Sequence, residues 1–233
     1  MSEGDRRSQL LQLAAGAAFL AVAVVLVLIV VNASSSGDGG DTKLEGTAEV
    51  NRALRGIPQR GMVLGDPKAP VELIEFADLQ CPYCKAFAEE VLPPIIENQV
   101  KNDQAKVAFH NFTIIGEQSL PAGAAALAAG EQGRGWNFVE LFYKNQGAEN
   151  SGYADDAFLE AIAKGAGVKD LDRWNRERAE LTTQVEATSA EAQQRGFNGT
   201  PSFAIRGQGT EGIEAIGTPS SSGALEKAIE QAE

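Results

Sequence analysis

The chain has 233 residues, a formal net charge of −12 and two cysteines. A domain this acidic is repelled by phosphate backbones, so no nucleic-acid partner is expected. Two cysteines are too few for a disulfide-stapled scaffold, and a chain of this size fills a core without staples.

From Leu13 to Val31 no residue is charged and almost all are apolar. About 20 helical residues cross a bilayer core, so residues 10–32 are expected to form one transmembrane helix. Arg6 and Arg7 precede it, and the next basic residue is Lys43. By the positive-inside rule residues 1–9 stay cytoplasmic and the remainder is exported, giving a single-pass protein of the cell membrane. The competing reading is a cleaved signal peptide with Val31-Asn32-Ala33 as its site, but the run exceeds the roughly 7–15 residues of a signal core. Both readings place the domain where disulfides persist. Residues 33–46 open with Ser34-Ser35-Ser36-Gly37 and read as a flexible linker, spanning roughly 20 Å root-mean-square.

The ordered domain is expected over residues 47–233. A short helix is predicted from Thr47 to Leu54 and an edge strand from Gly61 to Leu64. Val71 to Ala77 is nearly all apolar, as a strand covered on both faces is. Pro82 to Asn98 reads as a helix kinked at Pro93-Pro94, and Val107 to Ile115 as a second strand. Strand, helix and strand in this span make a βαβ unit with parallel strands. Helical segments follow at Ala122–Ala129, Trp136–Asn145, Asp155–Lys164 and Leu171–Gln194, with Trp136, Phe138 and Phe142 as core. Two strands, Ser202–Ile205 and Ile213–Ile216, and a serine-capped helix from Ser222 to Gln231 close the chain.

Cys81-Pro82-Tyr83-Cys84 lies where the buried strand meets the helix. With Cys81 as N-cap, Pro82 takes the first helical position, where a missing N–H costs nothing. The N–H groups of Tyr83 and Cys84 then lack intrahelical partners and, with the helix dipole, favour a thiolate on Cys81. Cys84 sits one turn on, within disulfide reach. Cys81 is expected to be exposed and to attack, with Cys84 deeper and resolving. A zinc site needs four ligands, and His110 is the one histidine available, so no metal is expected. An inert bridge would close an unusually short loop, which removes little unfolded-state entropy.

The order βαβ, helical insert, ββα, with this motif at the first strand–helix junction, resembles the thioredoxin superfamily and within it the DsbA-like branch. The likeness runs from about Gly61 to the C-terminus, with the insert at about residues 117–196. It implies an α/β thioredoxin fold, preceded here by the transmembrane helix, and a thiol–disulfide oxidoreductase needing no cofactor. The implied partners are exported cysteine-containing clients, which receive the Cys81–Cys84 disulfide, and a membrane redox partner that renews it. A reductase or isomerase of the same fold, or a non-catalytic binding module, are the alternatives. Pro-Tyr also occurs between the cysteines of glutaredoxins, but those lack the insert and usually the acid at Glu75. Tyr83 stands where the DsbA-like branch often has His.

The resemblance assigns further roles. Pro201, in Gly199-Thr200-Pro201, matches the cis-proline that faces the active disulfide, with Thr200 backbone groups free to pair with a substrate peptide. Glu75, six residues before Cys81, lies in an apolar run that predicts burial and a raised pKa. Its implied role is proton exchange with Cys84. Glu72 is expected in solvent, and His110 as a non-catalytic strand residue.

Overall fold

Val71–Ala77 is buried at all seven positions. In the computed structural model, which describes residues 43–233, it is the third of six strands: β1 (Gln59–Arg60), β2 (Val63–Leu64), β3 (Val71–Ala77), β4 (Ala105–Asn111), β5 (Ser202–Arg206) and β6 (Glu214–Ile216). Their order across the sheet is β1-β2-β4-β3-β5-β6. The two long strands, β3 and β4, sit at the centre and run parallel, as the βαβ pattern predicts. All other neighbours are antiparallel. β2 is not an edge as expected. Gly61, at φ 58°, turns a tight hairpin that places β1 outside it.

The helices are α1 (Thr47–Ala53), α2 (Pro82–Glu90), α3 (Leu92–Ile95), α4 (Ser119–Gly130), α5 (Gly135–Lys144), α6 (Asp156–Ala166), α7 (Leu171–Glu180), α8 (Thr182–Gln194) and α9 (Ser222–Ala232). A π-helical turn, Ile96–Val100, extends α3. The break after α2 falls at Val91, ahead of Pro93-Pro94. A proline in the first turn of a new helix removes no hydrogen bond, whereas one inside a continuous helix would. The segment expected as one helix from Leu171 to Gln194 bends at Leu181. α7 buries Trp174, whose indole N–H reaches the Ala125 carbonyl at 2.9 Å, while α8 buries Val185, Ser189 and Ala192. Both helices pack on α4, and α8 packs on β4 as well.

Alternation along β3 separates two apolar clusters. Val71, Leu73 and Ala77 join the main core with α2, α4, α5 and α9. Ile74 and Phe76 join Ala108, Ala204 and Ala192 of α8 in a smaller one. Glu75 therefore faces the main core. Trp136, Phe138 and Phe142 are fully buried, as predicted. Glu72 departs from expectation: it is mostly buried and ion-paired with Arg206, its register partner on β5. His110 stacks edge-on against Phe76, and its Nδ1 lies 3.7 Å from Glu191 on α8. Residues 1–9, the apolar segment 10–32 and most of the linker lie outside the described residues. Among those described, no helix is long and apolar enough to cross a membrane.

Candidate active site

Beyond β3 the chain turns through Asp78, Leu79 and Gln80 to present Cys81 at the tip of α2. Cys81 is extended (φ −74°, ψ 121°) and Pro82 begins the helix. The Cys81 N–H donates to the Asp78 carbonyl at 3.0 Å, and its own carbonyl accepts the first helical bond, from Lys85, at 3.1 Å. These are the features of an N-cap. The amides of Tyr83 and Cys84 make no closed capping bond to the sulfur, but both favour its anion.

The two thiols are electrostatically unlike. The Cys81 pKa falls from the ordinary 9.0 to about 6. The Cys84 thiol contributes most to that fall; burial opposes it, and the Thr200 side chain and the Cys84 and Tyr83 amides add to it. Cys84 moves well upward, first because it is buried and then because it faces the Cys81 sulfur and Glu75. Both thiols are free in this structure.

Pro201 lies beside the pair, and the Thr200–Pro201 bond is cis. The Thr200 carbonyl is not free as expected: it accepts the Cys81 S–H at 3.4 Å. Cys81 itself departs further from expectation. It is only 2% exposed, not an open helix tip. An N-cap sulfur folded back toward Thr200 is shielded even at a helix end. The cover is shallow, because Tyr83, two residues on, is 76% exposed. Glu75 is buried as predicted. Its pKa is raised well above the usual carboxylate range by burial, then by Glu140 and Cys81.

Four supporting residues were not found by sequence reasoning. Asp78 is fully buried and accepts the N–H groups of Gln80 (2.9 Å), Ile114 (2.8 Å) and Ile115 (2.9 Å). The ladder of β4 consequently ends at Asn111 rather than reaching Ile115. Tyr143 on α5 donates to the Asp78 carbonyl at 3.3 Å. Gln146 donates to the carbonyls of Leu79 (2.7 Å) and Cys81 (3.1 Å), fastening the cysteine loop to the insert. Glu140 is the fourth. Asp78 carried a signal, as a carboxylate between a buried strand and a helix start; Tyr143, Gln146 and Glu140 act from 60 or more positions away and carried none.

Known proteins give an independent comparison. The family described as Thioredoxin matches residues 58–231. The probable disulfide bond formation protein D of Bacillus cereus is 29% identical over 149 residues, covering 62% of this chain and 69% of that protein. Among solved structures, oxidised BdbD from Bacillus subtilis aligns with a TM-score of 0.65 at 22% identity, over 76% of this chain and 97% of that one. A thioredoxin-like oxidoreductase from Silicibacter pomeroyi aligns at 0.57 with 28% identity, over 73% and 90%. With a family match over most of its length, a cysteine pair at a helix tip and a neighbouring cis-proline, the chain belongs to the thioredoxin family.

Proposed function

We propose that this chain is an extracytoplasmic thiol–disulfide oxidoreductase that donates its Cys81–Cys84 disulfide to exported proteins. The observation that carries the reading is the cysteine pair at the start of α2, Cys81 at the N-cap with its S–H on the Thr200 carbonyl at 3.4 Å and Cys84 fully buried behind it. These surroundings lower Cys81 to about 6 and raise Cys84. A client thiolate attacks the Cys81 sulfur, the Cys81–Cys84 bond breaks, and the electron pair leaves on Cys84, which takes a proton. A second client thiolate then attacks the client sulfur of the mixed disulfide and expels Cys81 as a thiolate. The client is oxidised and the cysteine pair reduced. The low Cys81 pKa makes that last departure easy and favours the reduced form, so the oxidised form is an oxidant. Glu75 is the proton source for Cys84, and Thr200 and Pro201 flank the client peptide. In the oxidised form Cys81 has no S–H to donate, which frees the Thr200 carbonyl to pair with the client.

Relatives bearing the name disulfide bond formation protein support this direction. The apolar segment 10–32 holds the domain at the outer face of the membrane, where a membrane partner renews the disulfide. In Cys84→Ser the Cys81 thiolate attacks a disulfide of an exported protein, expelling one of its sulfurs as a thiolate. The mixed disulfide, which Cys84 can no longer reverse, is expected to accumulate, seen as thiol-sensitive bands on non-reducing gels. A complete lack of such bands in an oxidising compartment overturns the reading. The reduction potential separates oxidase from reductase: a value well above the roughly −270 mV of thioredoxin is expected.

A further inference from the structure

Glu140 belongs to the helical insert, yet it meets the cysteine site. On α5, Trp136, Glu140 and Tyr143 fall at i, i+4 and i+7, one face of the helix. Trp136 packs edge-on against Phe109, ring centroids 6.3 Å apart, and Phe109 is the register partner of Glu75. Tyr143 reaches the Asp78 carbonyl, three residues beyond Glu75. Glu140 is thus bracketed over the stretch of β3 that carries Glu75 on its core-facing side. On α2, Cys84 and Ala88 are likewise one turn apart on a buried face.

Two further observations single out this carboxyl. Glu75 Oε1 and Glu140 Oε1 are both enclosed without a hydrogen-bond partner. Buried carboxyl oxygens are normally paired, so two orphans in one region need a reason. Glu140 also lines a cavity of about 310 Å³, walled by Val50 of α1 and its C-cap Leu54, Ala88 and Glu89 of α2, and Lys144. Its remaining exposed surface opens into that cavity.

We propose that Glu140 is the outer station of a proton path that runs from Cys84 through Glu75 to this cavity. This rests on the exchange chemistry at Cys81 and Cys84 proposed above. When a client thiolate opens the disulfide, the Cys84 thiolate takes the proton of the Glu75 carboxyl, leaving a carboxylate. Glu140 returns a proton to Glu75, and water entering the cavity reprotonates Glu140. Each transfer moves one proton and no electrons; in the reverse reaction the same steps run outward. Burial raises both carboxyls, Glu140 to about 8 and Glu75 well above the usual carboxylate range, and the Glu140 charge adds to the rise at Glu75. The other charges around Glu140 are Lys144, which pairs with Glu49 of α1 at 3.2 Å, Glu89 of α2 and Glu97 of the π-helical turn. Glu140 acts through Glu75 and is a positioning residue.

The test uses the full-length chain, wild type and Glu140→Gln, with ¹³C-labelled glutamate. In the reduced state the Glu75 carboxyl is titrated by NMR, and single-turnover oxidation of a dithiol peptide by the oxidised form is followed against pH. Glu140→Gln is expected to lower the Glu75 midpoint, slow the turnover about tenfold and erase the inflection near pH 8; Glu140→Asp is expected to restore part of the rate and the inflection. An unmoved Glu75 midpoint with an unchanged pH profile overturns the path, even if the rate falls through loss of stability. A wild-type chain that does not oxidise the peptide overturns the exchange reading and the path with it.

Discussion

At Cys81 two effects oppose each other: covering the sulfur raises its pKa, while the Cys84 thiol, Thr200 and two amides lower it. The lowering wins, to about 6. Thiolate absorbance of the reduced chain is therefore expected to rise with a midpoint about 6, in a step that Cys81→Ala removes. A depressed folded-state pKa stabilises above the ordinary value and ceases to do so below the shifted one. Relative to Cys81→Ala, the reduced protein should gain stability as pH rises from about 6 to 9; denaturant titrations across that window check it. Glu140 has the opposite sign. Its pKa is raised from 4.5 to about 8, so its contribution falls away as pH climbs between those values. Glu140→Gln should flatten that part of the stability profile. Of these groups, Cys81, Cys84 and Glu75 were legible in the sequence, because a motif and an apolar run mark them. The cover over Cys81 was not: the resemblance put Thr200 beside the pair with its backbone free, whereas its carbonyl accepts the Cys81 S–H.

At the scale of elements, strand and helix identities followed from periodicity, but their ends followed from partners the sequence places elsewhere. β4 stops at Asn111 because Asp78 captures the amides of Ile114 and Ile115. Asp78→Ala leaves three N–H groups without their acceptor and is expected to cost about 3 kcal/mol. Denaturant unfolding measures the cost, and faster amide exchange at Ile114 and Ile115 locates it. The bend at Leu181 likewise follows partners: α7 and α8 both pack on α4, but α8 also packs on β4. Trp174 fixes α7, with its indole bonded to Ala125 and the Arg178 guanidinium 4.9 Å above its ring. Trp174→Ala should cost about 3–5 kcal/mol in the same measurement.

For the whole molecule, the order of strands and helices gave the fold class, since a parallel β3–β4 pair needs a crossover and the remaining topologies are few. Order did not reveal how the insert docks. Helix α5 lies against the cysteine loop through Tyr143, and the residue after its C-cap, Gln146, bonds that loop directly. The insert is therefore part of the reaction site and not a decoration on the sheet, and changes in it are expected to alter redox behaviour. Gln146→Ala removes two bonds to the Leu79 and Cys81 carbonyls; it is expected to shift the Cys81 titration midpoint, measurable by the same thiolate absorbance.

The roof that Thr200 makes over the nucleophilic sulfur sets who is allowed to react with it. Small diffusing oxidants and alkylating agents meet a thiol that is acidic but screened, so their attack is slowed relative to its acidity. On the proposed exchange, a polypeptide that displaces the Thr200 carbonyl meets the same sulfur uncovered. On that reading, discrimination between a polypeptide client and small thiols is set by access as well as by acidity.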